Sequence, residues 1–398
     1  MTLLGVKLLI IVSVGAWTVP EARACPGPID WKPLGLPVWA TDPNEGSTWG
    51  AMPIAMGVCR ADSSTAWIFA PSATWNSIVR YTGTLRLYAY PDRVSALSVV
   101  ASVSSATNRN LYVVWQHAPQ AAWTWTDDAV LRAQRTVFAR FFGIGDDTPA
   151  GAESSYTQTR LLITERRGLN LGHHLNLGAI AGIERDGVDA IGIEGLPLAP
   201  ALYPTAPGMA GATLAWQGLD ARYDDRVGGD YATAGVHAQI GGSLVEGIAG
   251  SPWFARGGAQ VSALWPELDW LGGAARALWT GETSRAAPFY QQSSLGGAFL
   301  LRGFADGRFV DREAWTAEVE QRIRLVRTHI FGVTADWRAD PFVAAGQVFD
   351  TPRAAFDRPQ VAAGVGLRAF VAPNVVGRVD LAAGGEGLKV YVEIGYPY

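Results

Sequence analysis

The chain has 398 residues, 17% of them charged and 48% hydrophobic, with a formal net charge of −4. Soluble chains carry about 25% charged residues, yet beyond the N-terminus no stretch approaches the about 18 consecutive apolar residues of a membrane-spanning helix. What remains is a soluble protein with a large core or a transmembrane barrel, whose apolar residues sit at alternate positions; no concentrated basic patch points to nucleic acid.

At the N-terminus, Lys7 precedes an apolar run over residues 8–19, Pro20 ends it, and Ala22-Arg23-Ala24 places small residues at −3 and −1. This predicts a secretory signal peptide over 1–24, cleaved after Ala24. Cys25 then comes first, but Arg23 is a poor fit to a lipoprotein signal. An oxidising compartment permits a disulfide to Cys59. The strand layout below places the two cysteines at opposite barrel ends, so none is expected. Residues 25–47 carry Pro33, Pro37 and Pro43 and read as a short extended periplasmic lead-in.

From there the chain reads as short strands separated by turn signals. Strands are predicted near 48–59, 65–77, 79–90, 94–104 and 109–117, then near 155–167, 170–184, 209–224, 230–244, 254–267 and 271–282. Five more follow near 312–326, 330–349, 360–371, 374–384 and 387–398. Alternation of faces carries these assignments. In the strand near 312–326, Trp315, Ala317, Val319, Ile323 and Leu325 share one face, and Thr316, Glu318, Glu320, Arg322 and Arg324 the other. An Arg facing lipid at mid-bilayer costs about 2–4 kcal/mol, so the charged face must meet water or other charges. The predicted fold is therefore all-β, a sixteen-stranded antiparallel transmembrane β-barrel over 48–398 with both termini in the periplasm. The long connections at 118–154, 185–208 and 283–311 all follow odd strands and point outward. The last strand ends on an aromatic, Tyr398.

Leu301-Arg302-Gly303-Phe304 lies in the longest of the late connections, preceded by Leu295-Gly296-Gly297 and followed by Gly307-Arg308-Phe309. It closely resembles the (V/L)RG(F/Y) signature of the BamA/TamA superfamily of outer-membrane assembly barrels, the bacterial surface antigen family. Tyr223-Asp224-Asp225-Arg226 with Gly229-Asp230-Tyr231 resembles that family's Asp-x-Arg-Asp…Gly segment. Phe141-Phe142-Gly143-Ile144-Gly145-Asp146-Asp147-Thr148 followed by Tyr156 resembles its FGxGN…Y segment. Residues 342–349 resemble its FxDxGxV strand, and Ile394-Gly395-Tyr396-Pro397-Tyr398 its closing barrel signal. The resemblance implies that the LRGF loop folds back into the lumen and that Arg302 meets acidic groups on the wall. Glu318, Glu320 and Arg322 are the candidate partners, Glu320-Gln321-Arg322 resembling the family's E-x-R. Two departures stand out. Ala344 occupies the place of the family's Asp, and 25–47 is far too short for POTRA modules, so a barrel lacking them is expected.

The five histidines form no zinc-spaced cluster. His173 and His174 are adjacent on a predicted strand and point to opposite faces. His237 reads as a polar lumen residue. Gly143-Ile144-Gly145 precedes no helix and is no phosphate cradle. Neither enzyme activity, metal nor cofactor is expected. The expected function is assistance to protein or lipid insertion or export in a Gram-negative outer membrane; the alternative is a structural or pore-like barrel. Expected partners are outer-membrane lipid (lipopolysaccharide where present), the barrel assembly machinery during biogenesis, and a separate periplasmic protein.

Overall fold

The computed structural model describes Cys25 and residues 27–62, 64–226, 232–330, 333–371 and 375–394. The expected signal peptide, the segment Gly229-Asp230-Tyr231 and the terminal Gly395, Tyr396 and Tyr398 lie outside the described residues.

One strand decides which side of the sheet meets lipid. Val319 is 58% exposed, while its neighbours Glu318 and Glu320 are 3% and 1% exposed. Apolar residues outside and ionised residues inside reverse the arrangement of a soluble core. They are what a barrel with lipid outside and a polar interior requires.

The first part of the chain forms β1 (Ile29–Asp42), β2 (Gly46–Cys59), β3 (Thr65–Phe69), β4 (Ser72–Asn76), β5 (Arg80–Ala89), β6 (Ser95–Ser104) and β7 (Arg109–His117). Next come β8 (Trp125–Phe141), β9 (Ser154–Asn170), β10 (Leu175–Asp189), β11 (Ala212–Asp224), β12 (Gly235–Ile248), β13 (Phe254–Leu268) and β14 (Leu271–Glu282). The rest forms β15 (Ser293–Leu295), β16 (Phe309–Asp311), β17 (Glu313–Ile330), β18 (Val333–Phe349), β19 (Gln360–Val371), β20 (Val375–Gly384) and β21 (Gly387–Ile394). Successive wall strands pair antiparallel. β3 and β4 both pair with β2 and β5 and are two halves of one pass. The break falls at Pro71, which has no N–H to give the ladder. β15 and β16 form a small hairpin apart from the wall. The barrel therefore has eighteen passes, closing where β21 meets β1. Among the described residues that seam has a single registered pair, Thr41 with Val392.

The expected sixteen strands are thus corrected to eighteen. The two additional ones are β1 and β8. β1 lies in the segment expected to be a lead-in, where the prolines disguised it. Pro33 and Pro37 are four residues apart, so both missing N–H groups fall on one edge, and the ladder to β2 runs unbroken from Ile29–Cys59 to Asp42–Gly46. β8 was hidden in the expected 118–154 loop because charges occupy both its faces. Asp128 faces inward and meets Arg222 at 2.9 Å. Asp127 pairs with Arg167 at 2.8 Å, and Arg135 with Asp189 at 2.9 Å. Asp127, Asp128 and Arg135 are thereby paired and Arg132 lies over the Tyr112 ring, so the strand stands despite its broken alternation.

β1 also overturns the expectation about the cysteines. Its register sets Ile29 beside Cys59, which brings Cys25 to the same barrel end, and Cys25 and Cys59 are joined in a disulfide. The sulfur of Cys25 is thereby unavailable for lipid attachment.

Aromatic residues mark both rims. Trp39, Trp49, Trp75 and Tyr81 are register partners across β1, β2, β4 and β5, all exposed, with Trp39 stacked on Trp49 at 5.3 Å. Trp31 and Trp67 stand exposed towards the other rim. From Trp31 to Trp39 a tilted strand climbs about 20 Å. That is close to the apolar band, about 25 Å tall, of outer-membrane barrels. The three longest connections, 142–153, 190–211 and 283–312, leave from the same end.

Candidate functional site

The connection between β14 and β17 turns inward instead of standing over the rim. The β15–β16 hairpin gives it a base, and Gly296 and Gly297, with φ of +118° and +82°, reverse the chain. An apolar cluster seats it: Leu295, Leu301, Phe304 and Phe309 pack with Ala314, Ala344, Val348 and Ala362 of the wall. Ala344 therefore sits under the loop as packing surface. An aspartate there would lie among apolar side chains, opposite Glu318, its register partner.

Arg302 is fully buried. Its Nη2 lies 2.7 Å from Glu318 Oε1 and 3.2 Å from Glu320 Oε2, and Nη1 lies 3.2 Å from Asp380 Oδ1. The guanidinium carbon rests 3.5 Å from the centre of the Phe342 ring. Arg322 donates from Nε to Glu320 Oε1 at 3.1 Å. Thus the structure brings together all four of the charged residues singled out in the sequence, Arg302, Glu318, Glu320 and Arg322.

Others were missed. Asp380 supplies the third carboxylate, reaching the cluster from β20, and Arg368 joins it to Asp340 at 2.7 Å and 3.3 Å respectively. Arg378 lies 3.6 Å from Asp380 Oδ2. Gly366 keeps the space open, because a Cβ there would collide with the Arg368 guanidinium and Asp380. The signal was present: Arg378 and Asp380 share a face of their strand with Ala382. Which strand they neighbour could not be read without the closed barrel.

Gly303 has φ +114°, and a Cβ on it would lie 3.0 Å from Ala362 Cβ and 3.1 Å from the backbone at Ala383 and Gly384. No other residue suits that position. Its N–H donates to the Tyr391 hydroxyl at 3.3 Å, and that hydroxyl donates to Phe304 O at 2.6 Å. Tyr391, on the closing strand, is a further residue the sequence reading missed. Ile394 ends β21.

The other motifs are distributed differently. Phe141 and Phe142 are buried, and Gly145 N–H donates to Val310 O at 2.8 Å. Arg308 donates to Thr148 O at 2.6 Å, so the 142–153 loop is stitched to the lumen loop. Asp224 and Arg226 pair with each other at 2.8 Å, and Asp225 Oδ1 accepts the Val236 N–H at 2.5 Å. They lie at the end opposite the long loops and do not touch Arg302.

Barrels of this build are known. BamA from Haemophilus ducreyi, in a form lacking POTRA domains 1–3, superposes with a TM-score of 0.57 at 13% identity, covering 86% of this chain and 75% of that one. The fold is that of a BamA-like barrel. CdiB from Escherichia coli gives a TM-score of 0.50 at 12% identity, over 92% of this chain and 62% of CdiB. No family model and no curated protein matches the sequence. At such identities the likeness is one of fold, and it fits an outer-membrane barrel.

Proposed function

We propose that this BamA-like barrel assists the insertion or export of proteins or lipids at the outer membrane. The observation that carries the reading is the lumen loop clamped by Arg302 to Glu318, Glu320 and Asp380. Holding an ion cluster and an apolar anchor inside a barrel requires many matched residues. A wall built for stability alone has no need of them, since breaking buried pairs is costly and apolar replacements are often neutral. A loop so held is a built-in stop in the lumen, released or shifted when cargo engages the barrel.

The test is twofold. Depleting the protein in its host should change the outer-membrane proteome or lipid asymmetry. In planar bilayers the parent barrel should conduct weakly, and Arg302→Ala should open large, stable conductance. A parent barrel that already conducts freely, with no change on depletion, would favour the structural or pore-like alternative. The cavity of about 550 Å³ beside the loop is the feature that favours this second reading.

A further inference from the structure

We infer that the inner wall of β2–β8 holds a binding site for a single-chain anionic amphiphile, a long-chain fatty acid. The inside of an outer-membrane barrel is polar as a rule, and the wall of β9–β11 and β17–β20 follows it with matched ions. The wall of β2–β8 does not. Met56, Ile68, Tyr88, Val114 and Val130 form one lumen-facing row, interrupted only by Ser98, each the register partner of the next. All five are half-buried, so the row is not packed away. The apolar cluster that seats the lumen loop lies elsewhere, on β17–β19.

A line of positive charge borders the row. Arg86, Val100, Tyr112 and Arg132 are successive register partners, two residues nearer the long loops. β2–β7 contain no Asp or Glu at all, and the inward carboxylate of β8, Asp128, meets Arg222 at 2.9 Å. Neither Arg86 nor Arg132 has a carboxylate partner among the described residues. Arg86 Nη1 donates to Ser72 Oγ at 2.9 Å, while its Nε and Nη2 are open to the lumen. Arg132 lies 5.1 Å over the Tyr112 ring with both terminal nitrogens open in the same way; only its Nε is sealed. The next row towards the long loops is polar, running Ser72, Thr84, Ser102, Asn110 and Gln134. The wall is thus graded along the strands, from polar through cationic to apolar.

An anion with one acyl chain matches that gradient. Its carboxylate accepts charge-assisted hydrogen bonds from Arg86 or Arg132, and its tail covers the apolar row. A neutral apolar ligand would cover the row but strip water from cations left unpaired. From Met56 to Val130 the row crosses five strand spacings, about 24 Å. It is only one row tall, since Gln116 and Asp128 border it on the far side. Such a band suits one extended chain rather than the paired chains of a phospholipid. Above the site Arg140 Nη2 donates to Asn44 O at 2.6 Å and Asn44 Nδ2 to Asp306 O at 3.0 Å, which ties β8, the β1–β2 turn and the lumen loop together as a roof. The inference stands on the wall alone and does not need the insertion or export role.

The test places the full mature barrel in phosphatidylcholine nanodiscs with a palmitate analogue that carries a photoreactive diazirine in its tail. Mass spectrometry after illumination locates the label. Label is expected on the inner residues Ile68, Tyr88 and Val114. Excess unlabelled palmitate should remove it, whereas hexadecanol, which lacks the charge, and acetate, which lacks the tail, should not. Arg86→Gln combined with Arg132→Gln should lower inner-face labelling about tenfold. Label on outward residues such as Leu111 comes from probe dissolved in the bilayer and should stay unchanged. Gel mobility of unheated samples checks folding, and Arg86→Gln alone carries the test if the double variant does not assemble. A diacyl phosphatidylglycerol probe is run in parallel. Label confined to the outer face, competition by hexadecanol, unchanged inner-face label in the folded variants, or inner-face label from the diacyl probe instead of palmitate each overturns the inference.

Discussion

Replacing Arg302 with alanine perturbs the lumen loop most directly. In the intact cluster four guanidiniums, of Arg302, Arg322, Arg368 and Arg378, face four carboxylates, of Glu318, Glu320, Asp340 and Asp380. Arg302→Ala leaves one carboxylate in excess, in a space closed to water. Removing one partner of a buried pair costs about 3–5 kcal/mol. The apolar anchors stay, and each buried side chain among Leu301, Phe304 and Phe309 contributes about 1.5–3 kcal/mol. The wall ladder is untouched, so the barrel should assemble normally while the loop opens far more often. An increase of roughly 10² to 10³·⁵ in the open population follows from that energy. Amide hydrogen exchange across residues 296–308 should accelerate by a similar factor, while β17 and β20 remain protected. Adding Glu318→Gln removes the excess charge and should recover part of the protection, a coupling of about 0.5–3 kcal/mol. The reasoning fails if the single variant exchanges like the parent, or if the second substitution makes the loop still looser.

Further outcomes follow from neighbouring contacts. Tyr391→Phe removes the hydroxyl that bridges Gly303 N–H and Phe304 O, and should loosen the loop by about 1–3 kcal/mol; exchange at Gly303 reports it, and unchanged protection would show the bridge to be dispensable. Gly303→Ala forces a side chain into a φ of +114° against Ala362 and Gly384, a strain of about 1–3 kcal/mol, read as lower protection of the loop without loss of the barrel. Ala344→Asp, although it restores the residue of the related family, should weaken the loop because the carboxylate enters an apolar cluster opposite Glu318; a gain in loop protection would contradict the packing argument. Replacing Cys25 and Cys59 by serine frees a loop with a sequence separation of 34. Such closure is worth about 3–4 kcal/mol in chain entropy. Exchange should rise along β1, whose only long-paired neighbour among the described residues is β2, and a β1 that stays as protected as β2 would argue otherwise.

The sequence by itself determined that this is an all-β chain with a charged face and an apolar face, because strand alternation is a local property and survives without knowledge of neighbours. It also marked the LRGF segment and the acids of β17, since Glu318 and Glu320 stand on the one strand whose alternation is sharpest. Strand number was a different matter. β1 and β8 break local rules, through prolines in one and charges on both faces in the other, and are stabilised by partners far along the chain. Only tertiary pairing shows that the missing N–H groups of Pro33 and Pro37 fall on one edge and that Asp127, Asp128 and Arg135 of β8 are matched. The same applies to the lock. Arg302 was legible as a cation needing carboxylates, but Asp380 and Tyr391 reach it from strands nearly eighty residues or more away. Closure of the barrel sets their distance, and no local pattern encodes it.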